Sequence, residues 1–312
     1  MKKIVLLAVI PVIFFSSCSL QKLVMNKVSD MLSGSSGGSA FTGDDDPQLV
    51  GDALPFALKM YETLLDQNPD HTGLLLTTGM GFVMYANAFV QTPAQMLPDD
   101  EYEKQGEMYA RAKKLYIRGR DYCFRALEVN HPGFLEAIYS DEPVPFMENL
   151  TIEDVPLLYW SAAGWLAAIS IDIFDVGLSM NLDKAAVLMD RAYALEPDFG
   201  KGMIDDFYIL YYASVPEGMG GSREKAKYHF DRAVELSEGL NPSPYLSYAT
   251  TISIQDQNAD EYRSLLEKAL AIELEQDPDN LLANSIMQEK AQWQLDHIED
   301  FFLLETDIPE DF

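Results

Sequence analysis

The chain is 312 residues long and 48% apolar, enough to bury a sizeable core in one large domain or two smaller ones. Its 22 basic and 50 acidic residues give a formal net charge of −28, which excludes nucleic acid and an anionic membrane surface as electrostatic partners, because phosphate contacts need clustered Lys and Arg. Two cysteines, Cys18 and Cys123, build neither a disulfide framework nor a thiolate metal site.

The N-terminus reads MKKIVLLAVIPVIFFSSC. Lys2 and Lys3 precede an apolar run over 4–15, too short to cross a bilayer, and then come Ser16, Ser17 and Cys18. This is the layout of an export signal. A cysteine directly after a small pair resembles a bacterial lipobox, with Phe15 at the position usually held by Leu. Residues 1–17 are thus expected to be a signal peptide and Cys18 the lipidation site, whose acyl chains tether an acidic protein to a membrane. Ser19, in place of an Asp after the cysteine, points to the outer membrane. Residues 18–43 read as a lipid-anchored linker, flexible at SGSSGGSA (33–40), with a short amphipathic helix in 20–32. Residues 44–304 read as a single helical repeat domain, and 305–312 as an acidic tail.

Asp44, Asp45, Asp46 and Pro47 suit a helix start; no closing Glu follows at calcium-loop spacing. Apolar residues at three- and four-residue spacing predict a helix over 52–67. Residues 73–97 contain no charge, yet Thr77, Thr78, Asn87, Gln91 and Thr92 would be costly in lipid, so a buried helix is expected, with the Asn87 and Gln91 amides needing partners. A long amphipathic helix is predicted over 101–129. Val155–Ile171, VPLLYWSAAGWLAAISI, has no polar face and alternates large with small residues, which marks a central buried helix. Further helices are expected over 181–195 with Asn181 as N-cap, 202–215, 223–237 capped by Ser222, 245–254, 261–274 and 281–304. The glycines of GMGGS before 223 read as an inter-helix turn. His71, His131, His229 and His297 are dispersed, with no metal spacing, and read as helix-end or surface residues. No nucleophile elbow, Walker loop or dinucleotide fingerprint is present. The adjacent Asp205 and Asp206 do not face one another on a helix. No enzyme, metal or cofactor is expected.

Four segments share one plan, CFRALEVNHP, MDRAYALEPD, FDRAVELSEG and LEKALAIELEQDPD, with anchor alanines Ala126, Ala192, Ala233 and Ala269. The later spacings approach the roughly 34-residue tetratricopeptide period. The expected fold is therefore all-α: an irregular tetratricopeptide-like array of helical hairpins around buried uncharged helices.

With these stretches in view, the sequence resembles the T component of TRAP transporters, a tetratricopeptide-repeat lipoprotein family of bacteria. The resemblance rests on FTGDDDPQLVGDALPFALKMYETLL (41–65), GLLLTTGMGFVMYANAFVQTPAQML (73–97), LYIRGRDYCFRALEVNHPGF (115–134), VPLLYWSAAGWLAAIS (155–170), MGGSREKAKYHFDRAVELS (219–237) and LLEKALAI with DPDNLLAN (265–284). It implies a lipid-anchored periplasmic protein, a homotrimer with a tunnel in each subunit, and a partner in the periplasmic solute-binding protein serving a sodium-coupled permease. The aromatics and amides of the two uncharged helices, Tyr85, Asn87, Phe89, Gln91, Tyr159, Trp160 and Trp165, are the expected tunnel lining for a small, partly apolar ligand. The competing expectation is an envelope scaffold that binds proteins through its repeat surface and holds no ligand.

Overall fold

The hydrophobic patterning resolves into helices throughout. The computed structural model describes Lys27 and residues 40–302, so the expected signal peptide, Cys18, the helix in 20–32, most of the linker and the acidic tail lie outside the described residues. Among the described residues there is no strand. The frame consists of α1 (Pro47–Gln67), α2 (Thr72–Ala86), α3 (Tyr102–Asn130), α4 (Val155–Ile171), α5 (Leu182–Leu195), α6 (Met203–Ser214), α7 (Arg223–Leu236), α8 (Ser243–Tyr248), α9 (Ala259–Leu270) and α10 (Leu281–Asp296).

Local chemistry accounts for most of the boundaries. Asp46 caps α1 by accepting from the Leu49 amide at 2.9 Å, with Pro47 at the first helical position where no donor is needed. The Nδ1 of His71 accepts from the Leu74 amide at the start of α2, and Ser222 accepts from the Lys225 amide at the start of α7. Asn181 does not cap α5 as its residue type suggested. Its side-chain amide donates back to the Gly177 carbonyl at 2.9 Å, because a short helical turn, Val176–Ser179, precedes it and offers an unpaired carbonyl. The segment expected as one helix over 281–304 ends at Asp296, where the amide and Nδ1 of His297 both donate to or contact the Trp293 carbonyl.

Among the described residues, two π-helical turns interrupt the α-helical ladder. Asn87–Gln91 extends α2 toward Thr92–Gln95, and Ala249–Ser253 extends α8. In the first, Pro93 has no amide to donate, which removes one i to i−4 bond and lets the turn widen. In the second, the hydroxyls of Thr250 and Thr251 donate to the carbonyls of Leu246 and Ser247, competing with the backbone for those acceptors.

Packing is sequential. α2 lies against α3, α3 against α4 and α4 against α5, and a second series runs from α6 through α7, α8, α9 and α10. One core holds α1 to α5 with Ile204 and Tyr208 of α6; another gathers Ile209 of the same helix with residues of α7 to α10. α6 therefore joins the two halves. The chain then returns to its beginning, since Leu282 and Ile286 of α10 pack on Val50 of α1. The four anchor alanines are all buried, as small residues must be where helices approach closely.

The tightest approach joins α2, α3 and α4. A Cβ on Gly119 would lie 2.7 Å from the Gly79 carbonyl oxygen and 2.7 Å from Cγ2 of Val83. A Cβ on Gly164 would lie 3.0 Å from the same Val83 methyl and 3.1 Å from the Tyr116 carbonyl oxygen. Cys123 sits at this junction, fully buried beside Gly79, and burial pushes its thiol up to about 12. The two uncharged helices, although long and apolar enough by composition to cross a membrane, are thus interleaved with the amphipathic α3, as a buried reading of them requires.

Gly119→Val is expected to cost at least the roughly 1–3 kcal/mol typical of overpacking, because one of the clashing neighbours is backbone that cannot rotate away. Gly106, on the same helix with open space around it, supplies the contrast: Gly106→Ala should stabilise by about 0.5–1 kcal/mol. Urea unfolding followed by circular dichroism measures both.

Candidate functional site

α6 begins Met203-Ile204-Asp205-Asp206-Phe207-Tyr208, two carboxylates in the first turn of an otherwise apolar and aromatic helix. The positive end of the helix tolerates them there, and the 100° step between neighbours sends them in different directions. Asp205 is fully buried and fully partnered: Oδ1 meets Nδ1 of His229 at 2.7 Å, and Oδ2 accepts from Nε of Arg232 at 3.2 Å. His229 is a buried mid-helix residue of α7, with Tyr193, Tyr208, Tyr212 and Tyr228 ringed about it, rather than the surface or helix-end histidine its dispersion suggested. The carboxylate opposite holds it inside. This network locks α6 onto α7.

Asp206 points the other way. Its Oδ2 accepts from the Ser243 hydroxyl of α8 at 2.6 Å, while Oδ1 is buried and has no hydrogen-bond partner. Burial raises its pKa above the ordinary carboxylate range, opposed by the hydroxyls of Ser243 and Ser247 and by the charge of Lys290. Lys290 belongs to α10, and its Nζ donates to Oε1 of Gln95 at 2.8 Å. Burial lowers its pKa to about 8, with Asp206 pulling in the opposite sense. Each feels the other's charge, and no Asp206–Lys290 ion pair is found among the described residues. Tyr159 of α4 completes the group. Burial and the Asp206 charge both push its phenol up, and its ring lies 5.1 Å from that of Trp160 and 5.4 Å from that of Phe199.

Tyr159, Asp206 and Lys290 share a further property. Protein surrounds them on all sides, yet each retains solvent-accessible surface. From that combination we infer an internal recess at these side chains. The elements that contribute groups to it are the far end of the α2 extension at Gln95, α4, the start of α6, α8 and α10.

The seven sequence-selected residues do not all belong to it. Tyr159 faces the recess and Trp160 stands beside it, half-buried. Trp165 is 1% exposed and packs in the core against Phe124 and Tyr139, with the guanidinium of Arg120 4.9 Å above its ring, so it offers no surface to a ligand. The five-residue difference from Trp160 turns it to the face that meets α3. Tyr85 is half-buried, its hydroxyl accepting from Arg111 at 3.2 Å. Asn87, the first residue of the π turn, is exposed, contrary to the expectation of a buried amide, although its side chain still interacts with the Tyr116 hydroxyl. Gln91 accepts from the Tyr116 hydroxyl at 2.5 Å. Phe89 lies over Gly51 of α1, where an added Cβ would fall 2.8 Å from its ring. Asp206, Lys290, Gln95 and Ser243 were not singled out by sequence. The legible signals were a carboxylate inside an aromatic helix and a lysine in the helix that closes the array.

The profile of the TRAP transporter T-component family matches residues 43–302. The chain belongs to this family. An uncharacterised protein of Treponema pallidum (strain Nichols) is 36% identical over 303 residues, 92% of this chain and 94% of the relative. Membership in the T-component family gives the chain an accessory role in a TRAP transport system and an association with a TRAP transporter, consistent with a place in the cell envelope; the family is one of transport accessories rather than of enzymes.

Lys290 makes a prediction about stability. Its proton leaves the folded state near pH 8 but is held by the unfolded chain up to about 10.4. Between those values the unfolded state binds more protons, so stability rises with pH. Lys290→Met should flatten that rise between pH 8 and 10, read as the pH slope of the urea midpoint, while leaving the slope below pH 7 unchanged.

Proposed function

We propose that this T component is a non-catalytic, lipid-anchored periplasmic protein that docks the solute-binding protein of its TRAP system and holds or passes a small, partly apolar solute through its interior. The observation that supports the reading most directly is the half-buried aromatic cluster of Tyr159 with Trp160 and Phe199, next to a few polar groups. That mixture is what a site for a small amphipathic molecule requires. Cys18 is the anchor, in the outer membrane, and the helical pairs α2–α3, α4–α5, α6–α7 and α8–α9 act as tetratricopeptide-like units.

We further infer a homotrimer. A closed ring of three copies needs a heterologous interface, in which one patch of each subunit meets a different patch of the next. The chain carries two candidate apolar patches: Leu49, Phe56 and Met60 on α1, and Ile173, Phe174, Val176 and Met180 between α4 and α5, with Phe174 91% exposed. Burial of such side chains between copies removes them from water.

Two measurements test these readings. A tagged, soluble form lacking residues 1–18 should retain the solute-binding protein encoded beside its gene, and absence of retention with and without solute would remove the docking reading in favour of a scaffold with other partners. Light scattering of the same form should give a mass of three chains, falling to one in Phe174→Ser; a monomeric parent protein would refute the trimer.

A further inference from the structure

The two halves of the molecule are joined unequally. On one side α6 belongs to both cores, with Ile204 and Tyr208 in the first and Ile209 in the second. The Tyr208 hydroxyl donates to Oδ1 of Asp190 on α5 at 2.5 Å, and the Tyr193 ring of α5 stands edge-on to that of Tyr208 at 5.5 Å. On the other side α10 reaches α1 through a small cluster of its own. Val50, Leu282 and Ile286 are buried in it, and Phe41, Ala88, Phe89 and Met287 are half-buried around them. Phe89, expected as tunnel lining, therefore borders this seam. Lys290 adds a hydrogen bond to Oε1 of Gln95 at 2.8 Å, which ends on a neutral amide rather than on a carboxylate. Apolar stabilisation scales with the area removed from water, so this side is the easier one to part.

The connection between α5 and α6 has the backbone of a pivot. Gly200, Lys201 and Gly202 are consecutive and all left-handed, with φ of 56°, 56° and 98°. Glycine enters this region freely and lysine does so at a cost, and a few residues at the ends of elements absorb the dihedral changes of domain closure. Phe199, directly before the run, has its ring 5.4 Å from that of Tyr159. Lys201, inside the run, has its Nζ 3.5 Å from Oδ1 of Asp277, whose Oδ2 accepts from Nδ2 of Asn280 at 2.8 Å where α10 begins. The pivot is thus tied to the aromatic cluster on one side and to the base of α10 on the other. Beyond it, Asp205 binds α6 to α7 and the Ser243 hydroxyl binds α8 to α6, so the second half moves as a unit.

We propose that the seam between α10 and α1 is a gate, which opens as the second half swings about residues 200–202 and lets the solute pass between the interior and solution. The inference rests on the reading of the interior as the solute's place and adds its route and control. A guest lying against Tyr159 and Phe199 touches the residue that precedes the pivot. Its contacts therefore differ between the open and closed forms, which is what allows a ligand to shift such an equilibrium.

The test reads the seam by thiol labelling in the soluble form lacking residues 1–18, whose native thiol, Cys123, is fully buried. Ile286→Cys places a thiol on the α10 side of the seam and Val50→Cys one on the α1 side. Leu265→Cys on α9 is the control, because Leu265 is 6% exposed and Ile286 5%, so a static fold protects the two alike. With N-ethylmaleimide and no denaturant, both seam thiols should react about tenfold faster than the control or more, and within about twofold of each other, as one local opening requires. Seam thiols no faster than the control overturn the gate. Passage is read separately, from the rate at which the fluorescence of N-phenyl-1-naphthylamine rises on mixing. Ile286→Ala should speed both this rise and the labelling of Val50→Cys by a common factor, and Leu265→Ala, which removes a comparable buried side chain from the same half, should speed neither; urea unfolding shows that both variants fold. Faster labelling without faster dye entry overturns the gate as the solute's route. If the dye does not bind the parent protein, the reading of the interior as the solute's place falls, and the opening of the seam stands or falls on the labelling rates alone.

Discussion

Direct backbone contact among α2, α3 and α4 is the constraint on which the rest of this molecule depends. Gly79, Gly119 and Gly164 bring three helices to distances at which a single methyl group would collide with a carbonyl oxygen or with Val83. Close approach has two consequences. It buries the uncharged faces of α2 and α4 on both sides of the amphipathic α3, so that neither is left to seek lipid. It also removes the gaps in which Cys123 and Trp165 would otherwise meet solvent, and both are fully enclosed. Dispersion contacts at this density are individually small and collectively large, and interiors so packed transmit displacement rather than absorb it.

α6 is the second organising element, because it belongs to both cores and carries the two carboxylates that the halves treat differently. Asp205 is bound by His229 and Arg232 and serves the packing of α6 on α7. Asp206 is only half satisfied and faces the recess. Replacing a whole buried ion pair by well-packed apolar residues is often tolerated, whereas removing one partner alone leaves an uncompensated buried charge. The contrast separates a structural carboxylate from one with unspent hydrogen-bonding capacity, although the two are neighbours in the chain.

The return of α10 to α1 turns a row of helices into an enclosure. The contact of Leu282 and Ile286 with Val50 brings the helix that carries Lys290 back onto the start of the domain, and Lys290 is enclosed there, its pKa lowered by burial. Its ammonium is drawn toward Gln95, at the end of an extension that the π turn at Asn87–Gln91 has displaced from a regular α-helical path. π turns of this kind recur at functional sites, and both of those among the described residues lie in or extend elements that contribute groups to the recess.

The sequence by itself determined that the chain is helical, where nearly all of the helices lie, and that the charge-free stretches are internal. Periodicity, caps such as Ser222 and the bounds of Val155–Ile171 are local properties, and local rules suffice for them. Family resemblance in the six quoted stretches was legible for the same reason, since it lives in residue order. The composition of the recess was not. Tyr159 stood out as an aromatic in an uncharged helix, but Trp165, six positions on in the same helix, is core, and the two are told apart only by which neighbour covers each face. Asp206, Ser243, Gln95 and Lys290 come from four elements spread along most of the described chain, and nothing local distinguishes Asp206 from Asp205 or Lys290 from a surface lysine. Their juxtaposition follows from the crossing of helices at the glycine contacts and from the closure of α10 on α1, which are long-range packing outcomes. Tertiary structure alone decided which charges are enclosed, because enclosure depends on what the rest of the chain places around a residue and not on the residue's own neighbours in sequence.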